Sequence, residues 1–440
     1  MSLPWVTADD GFRLRAVSVG LTFLAMITAF VISSMALTQF GVMYDGPGGN
    51  FLQKLHPATY LSLAALIVDA ASRPDPFDYV ADLPARFPGA AFFVVNWILI
   101  IAYAALFQHA PVAPLIDSFF CALAALVLYD DLDEDERRWL RLMLHGVMLA
   151  NACLGIAEFA GHFRLTPYVA GGRLIVGDYR STALFGHPLL NAGSTGLYAL
   201  MLFFGGDRAL KAPVRAALFF IQCAALIAFG GRTALVLTGA VVGVGSLRAI
   251  ADFLRGRPFD MRLAIAAALA APLVAAALAT IWFTGGLDPL LERFVNDYGS
   301  AETRVVVFEL FDAFPPQDIL LGPDAERLTS LLSTLGIEYG IENPWLGLIF
   351  QYGALMTLVF LLGFFALVHE LWRRSKSYGA LMVIIFLVQA SSSASLSVKS
   401  FAFNQFAILL LVVFDWRASG DPRAQTALGS RSDETEFSAP

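Results

Sequence analysis

Charge is what this chain has least of. Asp, Glu, Lys and Arg make up 15% of its 440 residues, whereas a soluble domain carries about 25%. With 58% hydrophobic residues and a mean hydropathy of +0.67, it reads as an integral membrane protein. Cysteine is scarce too. Cys121, Cys153 and Cys223 fall inside apolar segments without metal-ligand spacing, so each reads as a small buried hydrophobe. The HExxH, CxxC, P-loop and GxSxG patterns are missing, which leaves metal, nucleotide and serine-hydrolase chemistry without support. The net charge of -7 comes largely from acidic stretches such as YDDLDEDE (129–136) and the tail, and argues against nucleic acid as a partner. No cleavable signal peptide is evident, so the first apolar segment, after RLR (13–15), reads as a retained span. No internal repeat of the kind that marks many transporters is visible.

What the chain does have is long apolar runs. A span needs about 20 apolar residues, and about twelve segments qualify: 16–38, 56–72, 89–107, 112–129, 139–160, 186–204, 214–230, 232–250, 262–284, 343–369, 378–396 and 400–416. The expected fold is an all-α polytopic bundle forming a single transmembrane domain over 1–416, with a disordered polar tail over 417–440. The basic loops GGDRALKAPVR (205–215), LRAIADFLRGRPFDMR (247–262) and HELWRRSKS (369–377) put both termini in the cytoplasm by the positive-inside rule. Two large loops, about 161–185 and 285–342, then face outward. The second contains SAETRVVVFELFDAF (300–314), whose apolar residues from Val305 to Phe314 suit a short helix in the membrane interface.

The outward basic residues are informative, because that rule depletes them there. They are Arg164, Arg173, Arg180, Arg232, Arg293, Arg304, Arg327 and Lys399. Arginine keeps its charge and offers a planar fork that fits phosphate oxygens in pairs, so several of them would suit a lipid diphosphate. The plainer alternative is snorkelling to headgroups or pairing with nearby carboxylates. Three stand out by context. Arg180 precedes FGHPLLNAG, with His187, Pro188 and Asn191 at the start of the sixth span. Arg232 sits in FGGRTALVLTGA, where two glycines allow a tight turn into a helix whose free N–H groups favour an anion. Arg304 opens the interfacial helix beside Glu302 and Glu309. His187 reads either as a general base or diphosphate ligand, or as a helix cap. Glu342 and Asn343 precede Pro344 at the tenth span. Glu342 could take a proton from an attacking hydroxyl, or both could simply cap the helix. Asp69, Asn96, Asp117, Asn151 and Glu158 are polar residues inside spans. Of these, Asp117 and Glu158 fall near outer ends, where they could touch one cavity.

These pieces resemble the O-antigen polymerase and ligase superfamily, multi-pass glycosyltransferases that use polyprenyl-diphosphate-linked oligosaccharides. RSTALFGHPLLNAGSTGLY (180–198) resembles the family's arginine and Gly-[His/Asn]-Pro helix entrance. FGGRTALVLTGAVVG (229–243) is similar to its [Ser/Gly]-Arg-[Thr/Ser]-Ala-Leu helix start. ETRVVVFELFDAFPPQDILLGPDAERL (302–328) with IENPWLGLIFQYGAL (341–355) resembles its large outer loop. One departure matters: the family's His-Asn before the tenth span is Glu342-Asn343 here. The resemblance implies inverting, metal-independent glycosyl transfer at the outer face of a bacterial inner membrane, without a cofactor. It implies Arg180, Arg232 and Arg304 on the diphosphate, Glu342 or His187 as base, and Asn191 and Asn343 in support. The implied partners are the lipid-linked oligosaccharide, an acceptor glycan, the bilayer, and flippase and chain-length regulator proteins. A polymerase, a ligase acting on a lipid or protein acceptor, and a non-catalytic transporter all remain open at this point.

Overall fold

The computed structural model describes residues 8–45, 48–170, 173–176, 178–207, 209–256, 288, 292, 304–337, 340–375 and 377–415. The expected ninth span (262–284), the loop through residue 303 apart from 288 and 292, and the tail 417–440 lie outside the described residues. So do Arg293 and Glu302.

The chain is helical. The helices are α1 (Ala8–Val31), α2 (Ser34–Gln39), α3 (Pro57–Ala71), α4 (Pro76–Arg86), α5 (Pro88–Leu106), α6 (Ala113–Asp131), α7 (Glu134–Gly161), α8 (Pro188–Phe203), α9 (Ala212–Phe229) and α10 (Arg232–Leu254). After the large loop come α11 (Glu309–Ala313), α12 (Pro316–Leu321), α13 (Ala325–Thr334), α14 (Pro344–Tyr352), α15 (Ala354–Arg373), α16 (Gly379–Ser391) and α17 (Ala402–Val413). A two-residue antiparallel pairing, β1 (Val169–Ala170) with β2 (Arg173–Leu174), interrupts the helical pattern.

Seven helices among the described residues are long and apolar enough to cross a membrane: α1, α5, α6, α7, α9, α10 and α15. Three shorter ones, α3, α16 and α17, are equally apolar in character. In α17 every residue from Phe403 to Val413 is buried, and α8 is buried through most of its length. A helix apolar all round belongs in the middle of a bundle, and these two are joined there by Ser194 Oγ donating to Gln405 Oε1 (2.7 Å). Gln405 Nε2 donates onward to the Ala29 carbonyl of α1 (3.0 Å). Around them an aromatic seam links α5, α6, α15, α16 and α17 through Phe93, Phe119, Phe364, Phe386, Phe403 and Phe406.

The two ends of the bundle differ in chemistry. At one end Arg15, Arg73, Arg86 and Arg374 converge on Asp130 and Asp131 at the foot of α6. The acidic run read from the sequence is thus the counter-charge for arginines of α1, the α3–α4 turn, α4 and the end of α15. At the other end lie α2, the 162–187 loop, the turn between α9 and α10, and the described part of the large loop. That part has its own apolar cluster, with Val307, Leu310 and Phe314 packed on Leu328, Ile341 and Phe350.

Two expectations change here. The tenth segment, 343–369, is two helices rather than one. Gly353 adopts φ +82° and divides α14 from α15, and the Leu321–Gly322 backbone packs where its side chain would be. The interfacial helix expected from Val305 is likewise broken, with a turn at 307–308 before α11. Val307, Leu310 and Phe314 face the loop's own cluster, so packing within the loop decides where the helix bends.

Candidate functional site

The 162–187 loop is held by polar groups of the helices beneath it. Glu158, buried near the end of α7, accepts from the backbone N–H of Leu165 (2.7 Å), Thr182 (2.9 Å) and Ala183 (2.9 Å). Asn151, two turns back, accepts from Leu184 N–H (3.0 Å). Asn191 donates to the carbonyls of Thr182 (2.5 Å) and His187 (3.0 Å). Arg164 spends its fork inside the loop, donating to the carbonyls of Ile175, Asp178 and Arg180. These side chains bond the loop's backbone and hold it in one shape, although Asn151 Nδ2 and Asn191 Oδ1 make no hydrogen bond among the described residues. Asp117 does not share this network. It accepts from Tyr44 OH (2.9 Å), Thr59 Oγ1 (2.7 Å) and His56 N–H, with Lys399 Nζ 3.8 Å away. Lys399 also donates to the Tyr44 carbonyl (3.0 Å), and burial lowers its pKa to about 8.

The loop delivers Arg180 to the turn between α9 and α10. Ser181 N–H donates to the Ala228 carbonyl (3.1 Å), and the Arg180 side chain lies across Gly230. A Cβ on Gly230 would stand 2.8 Å from Arg180 Cγ, and its φ of +62° already favours glycine. Gly231 packs onto Ala192 in the first turns of α8, in contact that a side chain would close. Arg232 follows as the first residue of α10, half-buried, on a helix whose N-cap glycine provides no side-chain cap. The glycine pair therefore lies between Arg180 and the first turns of α8, and Arg232 follows it in the chain.

Within that place Arg180 is engaged. Its guanidinium meets Asp178 as a fork, with Nε 2.8 Å from Oδ2 and Nη2 2.6 Å from the same oxygen. Nη2 also donates to Tyr168 OH (3.1 Å), and the group lies over the Tyr168 ring. At 6% exposure, burial works against its charge, but Asp178 and Tyr168 hold its pKa above the ordinary arginine value. His187 caps α8: Nδ1 accepts from Leu189 N–H (3.2 Å), and its ring meets Tyr168 edge-on. With Nδ1 accepting that bond, the ring carries its proton on Nε2 and presents a donor there.

A second cluster forms at the end of α16. Glu342 Oε2 accepts from Arg304 Nε (3.0 Å) and Nη2 (2.8 Å), and Arg304 also reaches the Ser392 carbonyl. Both side chains stay open to solvent, at 46% and 40% exposure. Asn343 is the N-cap of α14, accepting from Trp345 and Leu346 N–H. Trp345 Nε1 donates to Ser391 Oγ (2.8 Å), which fastens α14 to α16. One turn back on α16, Gln389 lies against Gly193 and Gly196 of α8. Thus α16 touches the second cluster and the α8 glycines that follow Asn191. Asp178 and Tyr168 were missed from sequence. The signal for Asp178 was its place two residues before Arg180, whereas nothing in the sequence ties Tyr168 to that arginine.

No protein-family model matches the chain, and no curated protein or solved structure matches it either.

Proposed function

We propose that the chain is a membrane glycosyltransferase that polymerises polyprenyl-diphosphate-linked oligosaccharide units at the periplasmic face of a bacterial inner membrane. In this reading the bundle has twelve spans, cytoplasmic termini and outward loops at 161–185 and 285–342. The observation that carries it is that the glycine turn before Arg232 folds back onto the distant Arg180–Ala192 segment, with Arg180 across Gly230 and Ala192 against Gly231. The Arg304–Glu342 pair, at the end of the helix α16 that packs on α8, adds a carboxylate beside a cation.

The chemistry follows from these groups. An acceptor hydroxyl attacks the anomeric carbon, forming a C–O bond as the bond to the lipid diphosphate breaks. The electron pair leaves on the diphosphate, where charge grows in the transition state. Fixed arginines stabilise that charge without reorganisation. Arg232 binds directly, with Arg180 beside it, and His187 Nε2–H donates to a phosphate oxygen. Glu342 takes the hydroxyl proton, since Nδ1 of His187 is occupied by the α8 cap. Arg304, 2.8 Å from Glu342 Oε2, holds that carboxylate in place.

A ligase uses the same parts with a different acceptor, and the test separates the two. Purified protein is reconstituted with polyprenyl-diphosphate-linked repeat units and the products are resolved by size. A ladder lost in Arg232→Ala supports the polymerase. A single transfer that needs an added lipid or protein acceptor supports the ligase. Absence of turnover in both arms, with active membranes as positive control, overturns the glycosyltransferase reading.

A further inference from the structure

A cavity of about 500 Å³ opens under the 162–179 loop, inside the size range of small-molecule sites. Its wall mixes two kinds of surface. Phe163, Tyr168 and Tyr179 line it; the Tyr168 ring is buried under Arg180, whereas the Phe163 ring is half exposed and rests on Gly161, where a Cβ would come within 2.9 Å. His162, held at φ +51° by the left-handed end of α7, stands exposed at the rim. Tyr168 OH accepts from Arg180, which leaves its own proton free to donate inward.

We infer that this cavity seats a sugar ring of the substrate, beside the Arg180–Asp178 pair. The inference rests on the glycosyltransferase reading and names the part of the substrate that this loop recognises. Two observations select a sugar. Aromatic faces are electron-rich and meet the weakly positive C–H faces of a pyranose, while the polar rim meets its hydroxyls. The cavity also shares Asp178 and Tyr168 with Arg180, which puts it on the loop that leads into the proposed diphosphate site. A polyprenyl chain fits poorly, because Glu158 and Arg164 line the same wall and an apolar chain would cover charged groups.

The test measures binding to the full-length protein in nanodiscs, with two probes taken from the same lipid-linked repeat units. One is the free oligosaccharide released by mild acid, and the other is sugar-free polyprenyl diphosphate. Phe163→Ala is expected to weaken oligosaccharide binding about tenfold, as truncating an aromatic anchor does, with polyprenyl diphosphate binding unchanged. Phe163→Trp, which keeps a ring, is expected to retain both and serves as the folding control. Oligosaccharide binding that is absent, or indifferent to Phe163→Ala, overturns the inference. Weakened polyprenyl diphosphate binding in Phe163→Ala, with Phe163→Trp intact, assigns the cavity to lipid and overturns it too. If polyprenyl diphosphate binds the wild type and the sugar does not, the inference falls while the proposed function stands. If neither binds, both fall.

Discussion

At the scale of single residues, the site depends on which charges are already satisfied. Glu342 is half-open to solvent and paired with Arg304, while Asn343 is committed to its cap. Glu342→Gln is expected to slow transfer by about 10²–10⁴-fold, the usual worth of a general base, with lipid-diphosphate binding retained. Single-turnover kinetics beside a binding assay check this, and loss of binding with turnover would assign Glu342 to structure. His187 caps α8, so His187→Ala is expected to cost about 0.5–2 kcal/mol, seen as a lower melting temperature, while His187→Asn keeps the cap. Equal melting of the two variants would show that the cap is not what His187 supplies. These details were only partly legible in the sequence. That Arg180 and Arg232 matter could be read from the motifs around them, because glycine, proline and arginine mark turns locally. That Asp178 neutralises Arg180, or that Arg304 meets Glu342 rather than Glu309, depends on how the loop folds back.

At the scale of elements, the junction of α8 and α10 holds the site together. Gly231 lies against Ala192, and Gly196 faces Thr238, so small residues let the two helices approach closely, as they do in membrane bundles. Gly231→Val would push α10 and Arg232 away from α8. It should cost about 1–3 kcal/mol, the usual penalty for overpacking, seen as a lower melting temperature together with lost turnover. A variant that melts normally and turns over normally would show that this contact does not set the position of Arg232. Helix existence was readable from apolar runs of sufficient length, and most expected segments coincide with helices. Breaks were less visible. The α14–α15 break follows from Gly353 meeting the Leu321–Gly322 backbone, and a lone glycine in an apolar run does not disclose such a neighbour.

At the scale of the whole molecule, the ends of the bundle are chemically distinct. One carries arginines neutralised by Asp130 and Asp131. The other carries the loops around Arg180, Arg232 and Arg304. With the native cysteines replaced, single cysteines at Leu165 and Ser330 should react with an impermeant thiol reagent added outside the inner membrane. Those at Asp135 and Arg255 should react only after permeabilisation. The reverse pattern would turn the site toward the cytoplasm and remove the periplasmic assignment. The membrane class was legible from composition alone, whereas the packing of α16 on α8 joins segments almost 200 residues apart in sequence, from Gly193 to Gln389, which periodicity cannot reveal.

The most direct measurement counts polyprenyl diphosphate released for each sugar unit transferred by the reconstituted protein, with chelator present and beside Arg232→Ala. The arginine-based mechanism predicts one released per transfer, undiminished by the chelator and abolished in the variant. Transfer without release, or release that the variant leaves unchanged, would contradict it.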